Sequence, residues 1–262
     1  MDFQEIIFTR EDGVGTITLN RPKALNPMSE RLIEETEEAL RLIKADEAVR
    51  AVIITGAGRA FCAGADLHDL ESVPAKSSLA NRNYVRSGGQ LALSITNLEK
   101  PVIAAVNGPA VGGGCNLALS CDIILASEKA VFSQIFVKIG ALPDIGGLYF
   151  LPRLIGMARA KELFFTGRMV SAEEAANIGM INKVVNHEAL GAEALKFAKE
   201  LAKAPTKSIG MIKMVLNKTL HADLAAVVEY ESLIQSHLFL TEDFKEGVRS
   251  FFEKREPKFK GQ

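Results

Sequence analysis

The spacing of hydrophobic positions changes several times along the chain, and each change marks an element. Residues 6–9 and 14–19 are β-rich runs on either side of an acidic turn at 10–13, which predicts a hairpin. Leu32, Ile33, Thr36, Leu40 and Ile43 then share one helical face, and Ser29 can cap a helix running to about residue 45. Residues 52–55 read as a short β-branched strand that ends in Gly56-Ala57-Gly58. A helical stretch over about 81–97 leads through Lys100-Pro101 to a strand at 102–106, which again ends in glycines, NGPAVGGG. A helix of small residues follows over about 114–120, with short strands at 122–126 and 130–133. Strands alternating with helices predict an α/β fold with parallel pairing.

After Pro205 the pattern turns wholly helical, with successive helices over 206–219, 223–240 and 242–254. Leu224, Val227, Val228, Leu233 and Ile234 give the second of these an apolar face. The expected organisation is a core over 1–204 and a helical segment over 205–262 that packs against the core or a neighbouring subunit.

Composition narrows the function classes. Lys and Arg number 31 against 32 Asp and Glu, so no overall field draws the chain to nucleic acid or to a membrane. A hydrophobic content of 48% suits a packed protein of 262 residues. The start, MDFQEIIFTRED, carries acids where a signal peptide carries Lys or Arg, and no apolar run reaches the length of a membrane span. Cys62, Cys115 and Cys121 form no CxxC pair and are odd in number, which fits buried thiols in a reducing, cytoplasmic setting. There is no internal repeat, and no metal site is expected.

Three stretches carry the candidate chemistry. The loops GAGRAFCAGADLHDL (56–70) and NGPAVGGGCNLALSCD (107–122) have neither GxGxxG in a strand–helix frame nor GK[ST], so phosphate binding fails on detail. Their glycines serve either tight backbone packing or an oxyanion hole, in which free N–H groups aim at one point. The third stretch is IGALPDIGGLYFLPRLIG (139–156), where Asp144 is the only charge between Lys138 and Arg153. On local pattern Asp144 is either the N-cap of a helix opening at Ile145-Gly146-Gly147 or an acid placed for chemistry.

Taken in order, LNRPKALNPMS, GAGRAFCAGADL, PVIAAVNGPAVGGGCNLALSCDIILAS, LPDIGG, FTGRMVSAEEAANIGMIN and EGVRSFFEKREPKF resemble the enoyl-CoA hydratase/isomerase (crotonase) superfamily over essentially the whole chain. The resemblance implies a spiral of β-β-α turns with a C-terminal helical trimerisation segment, and a homotrimer or a pair of trimers. It implies that the N–H groups of Ala65 and Gly113 bind a thioester oxygen. Lys23, Ala24, Leu25, Ala63, Asp66, Leu67 and His68 match positions along the coenzyme A site, with His68 standing where well-known hydratases have Lys. Phe251 and Lys254 resemble positions that reach the coenzyme A of a neighbouring subunit. No tightly bound cofactor is implied, since coenzyme A arrives as part of the substrate.

The sequence departs from typical hydratases at both of their water-activating glutamates. The first position is Asn116 and the second, eight residues before Asp144, is Phe136. Neither can exchange a proton near neutral pH. Asn116 is then either a plain helix-start residue or one that orients substrate or water. Shifting a double bond needs only one base, and LPDIGG resembles the phenylacetate-pathway and dienoyl-CoA isomerases, which have Asp here. The expected activity is therefore enoyl-CoA isomerisation through Asp144, with an atypical hydratase as the alternative. A dehalogenase, which carries a nucleophilic Asp at this place, fits less well because the chain has no Trp and no His between 69 and 186. A thioester hydrolase and a non-catalytic acyl-CoA-binding protein are further alternatives. Residues 70–97 should line the acyl pocket, but their pattern does not reveal the acyl group.

Overall fold

The computed structural model describes residues 2–219 and 221–262. Its strands are β1 (Ile6–Glu11), β2 (Val14–Leu19), β3 (Ala51–Gly56), β4 (Val102–Val106), β5 (Ala110–Val111), β6 (Ile123–Ser127), β7 (Val131–Ser133), β8 (Met169–Ser171) and β9 (Lys183–Val185). Its helices are α1 (Glu30–Ala45), α2 (Leu67–Ser72), α3 (Ser78–Thr96), α4 (Gly113–Leu119), α5 (Gly147–Ile155) and α6 (Met157–Thr166). They continue with α7 (Ala172–Asn177), α8 (Leu190–Lys203), α9 (Thr206–Thr219), α10 (Leu224–Leu238) and α11 (Glu242–Glu253).

The large sheet runs β1-β2-β3-β4-β6-β9, and every pair after the β1–β2 hairpin is parallel. A small sheet runs β5-β7-β8. The turns β1-β2-α1, β4-β5-α4 and β6-β7-α5 succeed one another, which is the expected spiral.

Alternation along each strand divides the core. Val52, Ile54, Val102 and Ala104 face the main cluster with α1 and α3, while Ala51, Ile53, Ile103 and Ala105 face Leu190, Ala194, Ala198 and Ala202 of α8. Covering both faces explains why β4 is apolar and buried at every position.

The predicted cap of α1 is present, with Leu32 N–H donating to Ser29 Oγ at 3.1 Å. α3 starts three residues before its predicted beginning because Ser77 caps it, its Oγ accepting from Ala80 N–H. Helix α9 is tied to the core: Lys213 is buried and donates to Asp122 Oδ2 at 2.7 Å and to Ile95 O at 2.9 Å. Helix α10 instead leaves Leu224, Val228 and Leu233 exposed. Among the described residues no helix is long and apolar enough to cross a membrane.

Candidate active site

Strands β3 and β4 are parallel neighbours, so the glycine loops that follow them leave the sheet side by side at its carboxyl edge. Main-chain bonds zip the loops together. The N–H groups of Phe61 and Cys62 both donate to Pro109 O at 3.1 Å, and Val111 N–H donates to Cys62 O at 3.0 Å. The two backbones pass so closely that a Cβ on Gly108 would stand 2.1 Å from Arg59 O, and one on Gly114 would stand 2.2 Å from Cys62 O. Only glycine fits at such a crossing.

This crossing fixes two main-chain donors. Met28 N–H donates to Gly64 O at 2.7 Å, and Met28 O accepts from Asp66 N–H at 3.3 Å. A parallel bridge of this kind uses the amides on either side of Ala65 and turns the N–H of Ala65 itself away from Met28. Gly113 is the first residue of α4, where an N–H has no partner inside the helix. Ala65 and Gly113 line one cavity together with Asp144, Phe136, Tyr84 and Ile145.

The Asp144 carboxyl is mostly shielded from water, and its Oδ1 is buried without a hydrogen-bond partner. Burial in these surroundings pushes the carboxyl up to about 6, and its own backbone N–H opposes the shift in part. The cap reading is corrected here. Helix α5 starts at Gly147 behind Gly146, and no side chain caps it. Ile145 (φ +48°) and Gly146 (φ +75°) are both left-handed, so the chain reverses after Asp144. The carboxylate is left in the cavity, and the main-chain carbonyl of Asp144 accepts from Gly147 N–H at 2.9 Å.

Asn116 is fully buried and lies within α4, not at its start. Its Nδ2 donates to Asp144 O at 2.8 Å, and its Oδ1 accepts from Gln134 Nε2 at 2.7 Å. Phe136 belongs to a 3-10 turn, Ile135–Ile139, and lines the cavity with an inert ring.

Of the predicted coenzyme A positions, residues 23–25 lie against the first glycine loop. Lys23 and Ala24 are exposed in the 3-10 turn Pro22–Ala24, and Ala63 N–H donates to Leu25 O at 3.0 Å. Asp66 pairs with Arg21 Nη1 at 2.5 Å. Leu67 and His68 open α2, and their side chains lie outside the described residues. Phe251 is 79% exposed on α11 and Lys254 follows that helix; neither lines the cavity.

Sequence reasoning missed three contributors. Asn26, fully buried, accepts from Arg21 N–H at 2.8 Å and donates to Ala60 O at 2.8 Å, which ties residues 21–26 to the first glycine loop. Gln134 gave no signal because its partner lies 18 residues away in sequence. Tyr84 of α3 lines the cavity, and burial followed by the charges of Asp69 and Asp144 pushes its phenol up to about 12. With Val85 and Gly88 it brings part of the segment 70–97 to the pocket, as expected.

Comparison with known proteins shows the family and the fold. The family model described as enoyl-CoA hydratase/isomerase matches residues 9–262. The 1,2-epoxyphenylacetyl-CoA isomerase of Escherichia coli K12 is 40% identical over 253 residues, covering 96% of this chain and 97% of that protein. The short-chain-enoyl-CoA hydratase of Clostridium acetobutylicum is 38% identical over 256 residues, covering 97% of each. An enoyl-CoA hydratase subunit I from Geobacillus kaustophilus superposes with a TM-score of 0.93 at 38% identity over the full length of both chains. With the spiral fold, the two crossed glycine loops and a family match over nearly its whole length, the chain belongs to the enoyl-CoA hydratase/isomerase family.

Proposed function

We propose that the chain is an enoyl-CoA isomerase in which Asp144 moves the proton. A 3-enoyl thioester enters with its carbonyl oxygen on the N–H groups of Ala65 and Gly113. The Asp144 carboxylate removes a proton from C2, and the electron pair spreads through C1 onto the thioester oxygen and through C3 onto C4 as a dienolate. The same carboxyl returns the proton at C4, giving the 2-enoyl thioester with no change of formula. The two N–H donors stabilise charge that develops only on the way to the dienolate, and each is worth about 3 kcal/mol of barrier.

One observation carries the reading. Among the described residues the only carboxylate lining the cavity is Asp144, with a buried and unpartnered oxygen, while positions 116 and 136 hold an amide and a phenyl ring. A carboxyl held at about 6 is mostly ionised at neutral pH yet still basic enough to take a carbon-bound proton in an oxyanion-stabilised site. Hydration is the second reading, favoured by the name of the Clostridium relative. It requires one carboxylate both to activate water and to deliver a proton. Mass spectrometry on 2-enoyl, 3-enoyl and ring-type CoA thioesters in deuterated water tests the two. Deuterium in a product of unchanged formula supports isomerisation, and gain of water supports hydration.

Under the same reading, coenzyme A lies along the rim formed by residues 23–25 and 63–68. Phe251 and Lys254 reach the coenzyme A of a neighbouring subunit in a trimer or a pair of trimers. The support is the apolar surface left by the last two helices, where Leu224, Phe251 and Phe252 are each more than three-quarters exposed.

A further inference from the structure

We propose that Asn116 and Gln134 are positioning residues that hold the main chain of Asp144 and thereby aim its carboxylate into the cavity. The proposal rests on the isomerase reading above. Gln134 is buried, and its amide nitrogen donates to Asn116 Oδ1 at 2.7 Å; Asn116 Nδ2 passes the contact on to Asp144 O at 2.8 Å. A carbonyl can only accept, so the Asn116 amide must turn its nitrogen to Asp144 and its oxygen to Gln134. A carboxylate at position 116 would have no proton to offer that carbonyl, which gives Asn a chemical reason to be there.

The backbone beyond Asp144 needs such an anchor. Ile145 is β-branched and left-handed, a conformation that costs free energy and persists only where surroundings impose it. The Asn116 side chain also presses on the start of α5, since a Cβ on Gly147 would stand 2.3 Å from Asn116 Nδ2. One buried amide thus meets both ends of the reversal that carries Asp144. Gln134 Oε1 is buried without a partner, so Gln134 is held there at a cost that its donations to Asn116 Oδ1 and, at 3.4 Å, to Cys115 Sγ must offset.

The test uses 3-hexenoyl-CoA and the full-length variants Asn116→Ala, Gln134→Met and Asp144→Asn, each checked for folding by circular dichroism. Gln134→Met keeps the volume of the side chain and removes its donor together with the unpartnered Oε1, so it serves where Asn116→Ala folds poorly. Loss of positioning predicts that kcat falls about tenfold or more with KM within twofold. It also predicts an acid limb displaced below that of the parent, because a carboxylate that swings out regains water. Tyr84 is the titratable side chain that faces Asp144 among the residues lining the cavity, and it remains in all variants. A merely structural role lowers stability and leaves kcat per folded site and the acid limb where they were; that result overturns the proposal. If Asp144→Asn is inactive while Asn116→Ala and Gln134→Met match the parent, positioning alone fails. If Asp144→Asn stays active, the isomerase reading fails, and the proposal with it.

Discussion

Asp144 Oδ1 lies 3.8 Å from the point where a Cβ on Gly113 would stand, so the acid and the proposed oxyanion donor share one wall of the cavity. That proximity lets one bound thioester meet both groups. It makes Gly113 the place where a backbone donor can be removed and its loss read directly.

Gly113→Pro deletes the N–H. Proline is tolerated at the first position of a helix, so α4 should survive. Added carbon also crowds Ile145 and Met28, whose nearest atoms lie 3.1 and 3.2 Å from the new Cβ, and Gly113→Ala controls for that crowding. The expected result is a loss of at least ~100-fold in kcat for Pro beyond that for Ala. Equal rates for the two variants would show that the Gly113 N–H is not a donor.

Activity should fall as pH drops through about 6, where the Asp144 carboxyl takes up its proton and ceases to be a base. Tyr84, pushed up to about 12, stays neutral throughout that range and adds no limb of its own below neutrality. A rate profile flat from pH 5 to 8 would contradict the assignment.

Stability should show the opposite face of the same burial. Below about 4 the carboxyl is protonated in both folded and unfolded chains and costs nothing. Above about 6 it is ionised in both, and the folded state bears the whole cost of the buried charge, on the order of 2–3 kcal/mol. Asp144→Asn should therefore be more stable than the parent at pH 7.5, with the gain fading toward pH 4. Urea midpoints at the two pH values measure it.

The crossing of the glycine loops makes a paired prediction. Gly114→Ala drives a Cβ to 2.2 Å from Cys62 O and should destabilise the chain by several kcal/mol, with loss of activity. Gly89→Ala, inside α3 with nothing within 4 Å, should stabilise by about 0.5–1 kcal/mol and leave activity intact. Thermal melts of both variants check the contrast.

Light scattering should give a multiple of three subunits, the assembly proposed above, with Leu224, Leu233, Phe251 and Phe252, exposed in one chain, as surface for it to cover. An active monomer would contradict the proposed neighbour contact of Phe251 and Lys254.

Local pattern carried the hairpin, α1 and the β4 strand, because each is written in periodicity or in a cap only three residues long. At Asp144 it left two readings open. Asp before Ile-Gly-Gly reads as a cap, yet the left-handed turn at Ile145 and Gly146 moves the helix start on and frees the carboxylate. Nothing local forces an isoleucine into that conformation. What bears on it is Asn116, 28 residues earlier, and contacts of that kind leave no spacing to read. The segment around residues 21–26 was legible as motif, while the Asn26 bonds that hold it to the first glycine loop were not.

The most direct test of the central claim is the rate of deuterium incorporation into 3-hexenoyl-CoA by Asp144→Asn in deuterated water, with thioester binding measured alongside. Asparagine keeps the size of the side chain and cannot act as a base. The account predicts that incorporation and isomerisation both fall at least ~100-fold while affinity for the thioester stays near that of the parent. Exchange and isomerisation at the parent rate in that variant would contradict it.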